Sequence, residues 1–272
     1  MRPLKLVLIV SVSVVLLSVC FFGKNLLPSA LSHNVASDAA LAARRAAAER
    51  IHPYLLRAGF IHPPEKIALV AFKTERRLEL WAARPASRTT GAPPARLLAD
   101  DSEWVLLRTY PILAASGTLG PKLKEGDRQV PEGAYRIAHL NPNSSYHLSM
   151  KLDYPNAFDR QKAREEGRRD LGGDICIHGW DVSAGCLAIG NVAIEELYLL
   201  TERIGAENVE VLIAPYDFRI APPQIKADAK VRWLPELYGN LAYELLRFKL
   251  PQASIPEQKR PATHEVIRMK RK

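Results

Sequence analysis

His178 and Cys186 stand eight residues apart in the stretch "DICIHGWDVSAGCLAIGN", residues 174–191. A thiolate, not a thiol, attacks a carbonyl carbon, so a reactive cysteine needs a base or a positive charge beside it. A strand ending at His178, a tight loop and a return at Cys186 would bring imidazole and sulfur together. Gly179 and Gly185, with the small residues Ser183 and Ala184, suit such a loop. Gly185 permits close backbone approach, so the Gly185 and Cys186 amides are candidates to face a developing oxyanion. Ser183 is a candidate to fix the loop or orient a substrate. The pattern is that of cysteine acyl-transfer chemistry.

Two other readings stand beside it. Cys176, His178 and Cys186, with His147, are metal-ligand types, although their spacing is not that of a zinc finger or ribbon. Alternatively, Cys176 and Cys186 form a disulfide, since Cys176 and His178 share one face of a strand. Cys176 by itself reads as a small buried residue of a core strand, whose loss would leave most activity.

Compartment bears on all three readings. The segment "MRPLKLVLIVSVSVVLLSVCFFGK" has Arg2 and Lys5 followed by an uncharged apolar run from Leu6 to Phe22. Residues 1–23 are therefore expected to be an export signal or an uncleaved inner-membrane anchor, which places the chain in the periplasm or cell envelope. Cys20 falls in that segment, so the exported part carries two cysteines, too few for a disulfide framework. The formal charge of +9 makes an anionic partner or surface compatible. No RNP-like motif, zinc finger or basic heptad helix occurs, so nucleic acid is not an expected partner.

The elements that must hold the pair read as follows. Residues 24–65 are a spacer leading into an alanine-rich helix that stops at Gly59. From Lys66, "KIALVAFKTERRLELWAA" predicts a β-hairpin turning at residues 74–77. "WVLLRTYPILAAS" is a further strand pair or a bent strand, since Pro111 interrupts it. A Gly-rich charged loop, residues 117–133, precedes strands in "AYRIAHL" and "SSYHLSMKL". Tyr154-Pro155-Asn156 reads as a turn, with Lys151 and Asp153 solvated. "DICIHG" is a short strand, "NVAIEELYLLTERIG" a helix opened by Asn191, and "NVEVLIAP" a final strand. Residues 66–216 thus predict one mixed α/β, β-dominated domain. Residues 217–272 are a linker, an amphipathic helix over 231–248 and a basic tail. The helix suits docking on the domain or lying on a membrane interface, with docking the stronger reading.

"IHGWDVSAGCLAIGN" resembles the active-site motif of the YkuD-type L,D-transpeptidases, in which His-Gly is followed by Ser/Thr-x-Gly-Cys. "GPKLKEGDRQVPEGAYRI", "NPNSSYHLSMKLDYPNAFDR" and "GGDICIHG" are similar to the YafK-like branch, in the family's order. The resemblance implies the family's fold, a β-rich mixed domain with the nucleophile at one end of the sheets. It also implies peptidoglycan stem peptides as substrate, attacked at the L-centre of diaminopimelate. Cys186 matches the nucleophile and His178 the base, with Gly179, Ser183 and Gly185 in the loop. His147 matches a histidine of the branch, and Tyr146 and Trp180 are further candidates for substrate contact or support. No metal or cofactor is implied.

The common motif has a histidine before Gly-Cys and an arginine two residues after the cysteine. Here Ala184 and Ala188 stand in those places. The YafK-like branch shares that departure and includes a hydrolase releasing a diaminopimelate-linked outer-membrane lipoprotein. Three functions are therefore expected candidates: an L,D-transpeptidase, a hydrolase of that kind, and a non-catalytic wall-binding module.

Overall fold

The structure, a computed structural model, describes residues 29–84, 103–225 and 230–250. The N-terminal apolar run and the basic C-terminal tail lie outside the described residues. No helix among the described residues is long and apolar enough to cross a membrane. The chain divides into two compact units, Met1–Glu49 and Arg50–Lys272.

Helix α1 (Ser29–Arg57) begins well before the alanine-rich stretch, in residues read above as a spacer. Residues 29–37 contain no glycine or proline, so nothing in them breaks a helix that the alanines favour. The C-terminal end closes as expected at Gly59, whose φ of 84° suits the left-handed turn after a helix. There the Phe60 amide donates to the Leu55 carbonyl at 2.9 Å.

Among the described residues, nine strands form the sheet of the second unit. They are β1 (Ile67–Phe72), β2 (Arg77–Arg84), β3 (Glu103–Pro111), β4 (Ala114–Ala115), β5 (Gly133–Ser144), β6 (His147–Leu152), β7 (Cys176–His178), β8 (Leu187–Ala188) and β9 (Val209–Ala214). Their order is β3-β2-β1-β9-β5-β6-β7-β8-β4. Two pairs, β1 with β9 and β7 with β8, are parallel; the others are antiparallel. The predicted hairpin is β1–β2, with Arg76 at φ 48° in its turn.

The all-apolar β1 is explained by cover on both faces of the sheet. Ile67, Leu69 and Ala71 join the core cluster that holds Ile51, Leu55 and helix α3 (Asn191–Ile204). Ala68, Val70 and Phe72 join the opposite cluster, with Leu237, Tyr238, Leu241 and Leu245 of helix α4 (Leu234–Leu245). Helix α4 therefore docks on the sheet, and its four buried side chains contribute roughly 1.5–3 kcal/mol each by leaving water. On α3, the residues spaced for burial, Ile194, Leu197 and Leu200, are at most 2% exposed.

A charged strip preceding β7 forms helix α2 (Ala157–Glu165), where Asn156 and Asp159 make a reciprocal capping box. The glycine-rich loop is tied down from beneath. Buried Lys73 donates to the carbonyls of Thr118 at 2.7 Å and Val130 at 3.1 Å and pairs with Glu132 at 3.0 Å. That loop then reaches the strands β4 and β8, where the chemistry-bearing residues gather.

Candidate active site

Strand β7 is three residues long and lies between β6 and β8, so its register decides which side chains meet. Ser149 and Ala188 flank His178, and Lys151 flanks Cys176. Ile177 pairs with Leu187, both 0% exposed, so these two take the core face. One residue earlier in that parallel pairing stand Cys176 and Cys186. Side chains alternate along a strand, so Cys176, His178 and Cys186 share the other face. Cys176 is a half-buried free thiol beside Cys186, which corrects its reading as a buried core residue. The register gives the reason: Ile177 already fills the core position.

His178 is 3% exposed. Its Nδ1 lies 2.7 Å from the Gly179 carbonyl oxygen. A carbonyl only accepts, so Nδ1 carries the proton and Nε2 is left to face the sulfur. The imidazole is one of the groups that hold the Cys186 thiol below its ordinary range. Tyr146 lies against the imidazole with ring centroids 4.7 Å apart, and Trp180 meets Tyr146 edge-on at 5.7 Å. Trp180 is half-exposed, so it borders the site rather than covering the core.

The loop from Gly179 to Cys186 is built by backbone demands. Trp180 holds φ 57°, and its amide donates to Asn191 Oδ1 at 3.0 Å. Asn191 therefore does not cap α3, as its place in the sequence suggests. The cap residue is Gly190 and makes no side-chain bond. At Gly179 an added methyl would sit 2.6 Å from Asn191 Oδ1 and 2.7 Å from the Tyr146 carbonyl oxygen. Gly179→Ala is accordingly expected to displace this loop, lower stability by about 1–3 kcal/mol and slow alkylation of Cys186. An unchanged urea midpoint and alkylation rate would refute the crowding.

Ser183 fixes the return. Its hydroxyl donates to the Cys186 carbonyl at 2.7 Å and accepts from the Ser116 amide at 3.1 Å. The Gly185 amide also points at this hydroxyl, at 3.4 Å. This arrangement turns the Gly185 amide toward its own loop, whereas the sequence reading aims it at an oxyanion. Gly185 is needed for its φ of 122°.

His147 is close to the site without joining it. Its Nε2 lies 2.8 Å from Glu195 Oε1 on α3, and Glu195 Oε2 accepts from Arg50 at 2.6 Å. The residue braces the turn that carries Tyr146. Sequence reasoning missed three contributors: Asn191, Ser116 and Asp174. It set Cys176 beside Cys186 only in the disulfide and metal readings, and the structure has both cysteines as free thiols. Asp174 sits at φ 53°, and its carbonyl oxygen is 3.6 Å from Cys186 Sγ and 3.7 Å from Cys176 Sγ. Its carboxylate pairs with Lys151 at 2.5 Å, so Lys151 is not merely solvated.

Electrostatics separate the two thiols. The Cys186 thiol is pushed down to about 5, chiefly by a hydrogen bond from the Cys176 thiol. Burial opposes the shift, and His178 and the Cys176 amide, 3.3 Å from Sγ, reinforce it. Cys176 is pushed up, first by that same bond and then by burial. Among the described residues, no group of three or more His, Cys, Asp or Glu is placed to hold a metal ion.

The family model of the L,D-transpeptidase catalytic domain, YkuD, matches residues 93–211. YafK of Escherichia coli (strain K12), provisionally named an L,D-transpeptidase, is 30% identical over 207 residues, covering 72% of this chain and 75% of YafK. Among solved structures, the helical cell shape determining protein Pgp2 from Campylobacter jejuni shares 20% identity with a TM-score of 0.42, over 56% of this chain and 48% of Pgp2. Bd1075 of Bdellovibrio bacteriovorus shares 18% with a TM-score of 0.37, over 67% and 55%. The chain spans about half the length of those two solved chains. On its likeness to the catalytic-domain model and to YafK, the chain belongs to the YkuD-type L,D-transpeptidase family, and its sheet-dominated mixed domain has that family's fold.

Proposed function

We propose that this chain is an exported cysteine acyl-transferase that attacks peptidoglycan stem peptides at the L-centre of diaminopimelate. The observation that supports the reading is that His178 and Cys186 stand on one face of the β7–β8 pair, with His178 Nδ1 fixed on the Gly179 carbonyl. Family membership supplies the substrate class.

In this reading His178 Nε2 takes the proton of Cys186, and the thiolate adds to the peptide carbonyl. The tetrahedral oxyanion takes a hydrogen bond from the Cys186 amide, with the Gly185 amide joining only if it leaves Ser183. The C–N bond breaks as His178 returns the proton to the departing amine, leaving an acyl thioester on Cys186. An acceptor amine resolves the thioester in transpeptidation. Tyr146 and Trp180 border the entry to the sulfur. His147 acts as a support through Glu195.

A second reading rests on Ala188. It is 0% exposed and offers no cation where the common motif has arginine, so an acceptor bearing a carboxylate finds no partner there. Water would then resolve the thioester, and the chain would release diaminopimelate-linked protein or peptide. Incubation of the full chain with muropeptides and with protein-linked muropeptides, followed by mass spectrometry, tests both. New crosslinked species support the transferase, and freed protein with a shortened stem supports the hydrolase. Absence of any turnover overturns both and leaves a wall-binding module.

A further inference from the structure

The two thiols are neighbours by register, on the one face of the sheet that also carries His178. The Cys176 amide donates to Cys186 Sγ at 3.3 Å. Both sulfurs lie within 3.7 Å of one acceptor, the Asp174 carbonyl oxygen, which is held at φ 53°. With both thiols protonated, either can donate to that oxygen. Once Cys186 loses its proton, the carbonyl lone pairs face an anion and repel it. The Cys176 S–H, bonded to the same oxygen, can relieve this by turning from the oxygen to the sulfur.

We propose that Cys176 is a positioning residue for Cys186: its thiol and its backbone amide both donate to the Cys186 sulfur and hold it as the anion facing His178. The inference rests on the proposed role of Cys186 as nucleophile. Balance is kept because Cys176 keeps its own proton throughout, while the Cys186 proton goes to His178 Nε2. The opposite shifts of the two thiols, Cys186 down and Cys176 up, agree with this division of labour. Lys151 extends the device. Its pairing with the Asp174 carboxylate holds the residue whose carbonyl aligns both sulfurs.

The test reads ionisation directly and needs no substrate, so it fails or succeeds apart from the reading of turnover. The full-length reduced protein is treated with iodoacetamide from pH 4 to 9, and modification at Cys186 is followed by peptide mass spectrometry. In Cys176→Ala the amide remains but the S–H is gone, and the midpoint for Cys186 should rise by about one pH unit or more. In Cys176→Ser a hydroxyl donor replaces the thiol, and the midpoint should return toward that of the unaltered chain. A Cys176→Ala profile that superposes on the unaltered one overturns the proposal. So does an equal rise in both variants, which would assign the effect to packing rather than to a donor. Near-ultraviolet circular dichroism of the Tyr146–Trp180 pair confirms that each variant keeps the site's fold.

Discussion

Cys186→Ala is expected to reduce turnover of stem peptides to the uncatalysed background, on the order of 10⁴-fold or more below the unaltered chain. Among the described residues, no other sulfur is placed to take over its role. Cys176 lies on the same face, but its thiol is pushed up and serves Cys186 as a donor. The fold should survive, because the change removes one half-buried atom from a loop held by Ser183 and Ser116. The pH dependence carries a further signature. A thiol whose folded pKa is lowered from 9.0 to about 5 stabilises the fold fully above the unfolded value, and that contribution is lost as pH falls toward 5. Cys186→Ala should therefore flatten the rise of stability between those two limits, as read from urea midpoints across pH. Substantial turnover by this variant would remove the nucleophile from the proposed mechanism.

His178→Ala is the second large effect, a loss of roughly 10²–10⁴-fold in turnover for removal of a general acid–base group. Two consequences should appear together. Proton transfer to the leaving amine fails, and the Cys186 sulfur loses one of the groups that lower its pKa. In the unaltered chain, alkylation by iodoacetamide should rise as pH climbs through about 5 and be level by neutrality. In His178→Ala the rise should move to higher pH, so the variant is slowed most near pH 6 and least near pH 9. Unfolding would confuse this reading, since His178 is buried beneath Tyr146. His178→Gln keeps an amide in that space and provides the companion measurement. A profile unchanged in both variants would place His178 outside the ionisation of Cys186.

These two substitutions differ from Cys176→Ala in what they remove. His178 supplies both the base and part of the electrostatic field, whereas Cys176 supplies only a donor. A variant chain that shifts in ionisation with a proportionate loss of rate behaves as Cys176 is expected to. One that loses far more rate than its ionisation explains behaves as His178 is expected to.

Much of the second unit was legible from local pattern. The β1–β2 hairpin, the Pro111 break between β3 and β4, and the buried stripe of α3 each follow from periodicity or from a residue with a fixed backbone preference. The return of the chain that sets His178 and Cys186 on one face was legible too, because glycines and small residues between them leave a short loop few alternatives. The start of α1 was not, since residues 29–37 carry no periodic apolar stripe, only the absence of a breaker.

What the chain's residues determine alone is therefore a set of elements and a motif: strand, His-Gly, a glycine-bearing loop, and Ser-Ala-Gly-Cys. What tertiary structure decided is which atoms those elements bring into contact. The parallel register of β7 and β8 set Cys176 beside Cys186 and made it a partner rather than a core residue. Packing of α3 against β6 drew His147 to Glu195 and turned Asn191 from a helix cap into a brace for Trp180. The Ser183 hydroxyl, reached by Ser116 from a distant strand end, captured the Gly185 amide. The physical reason is common to all three. Periodicity records which face of an element is apolar, but strand pairing and helix docking join residues far apart in the chain, and their register is chosen by the packing of the whole core.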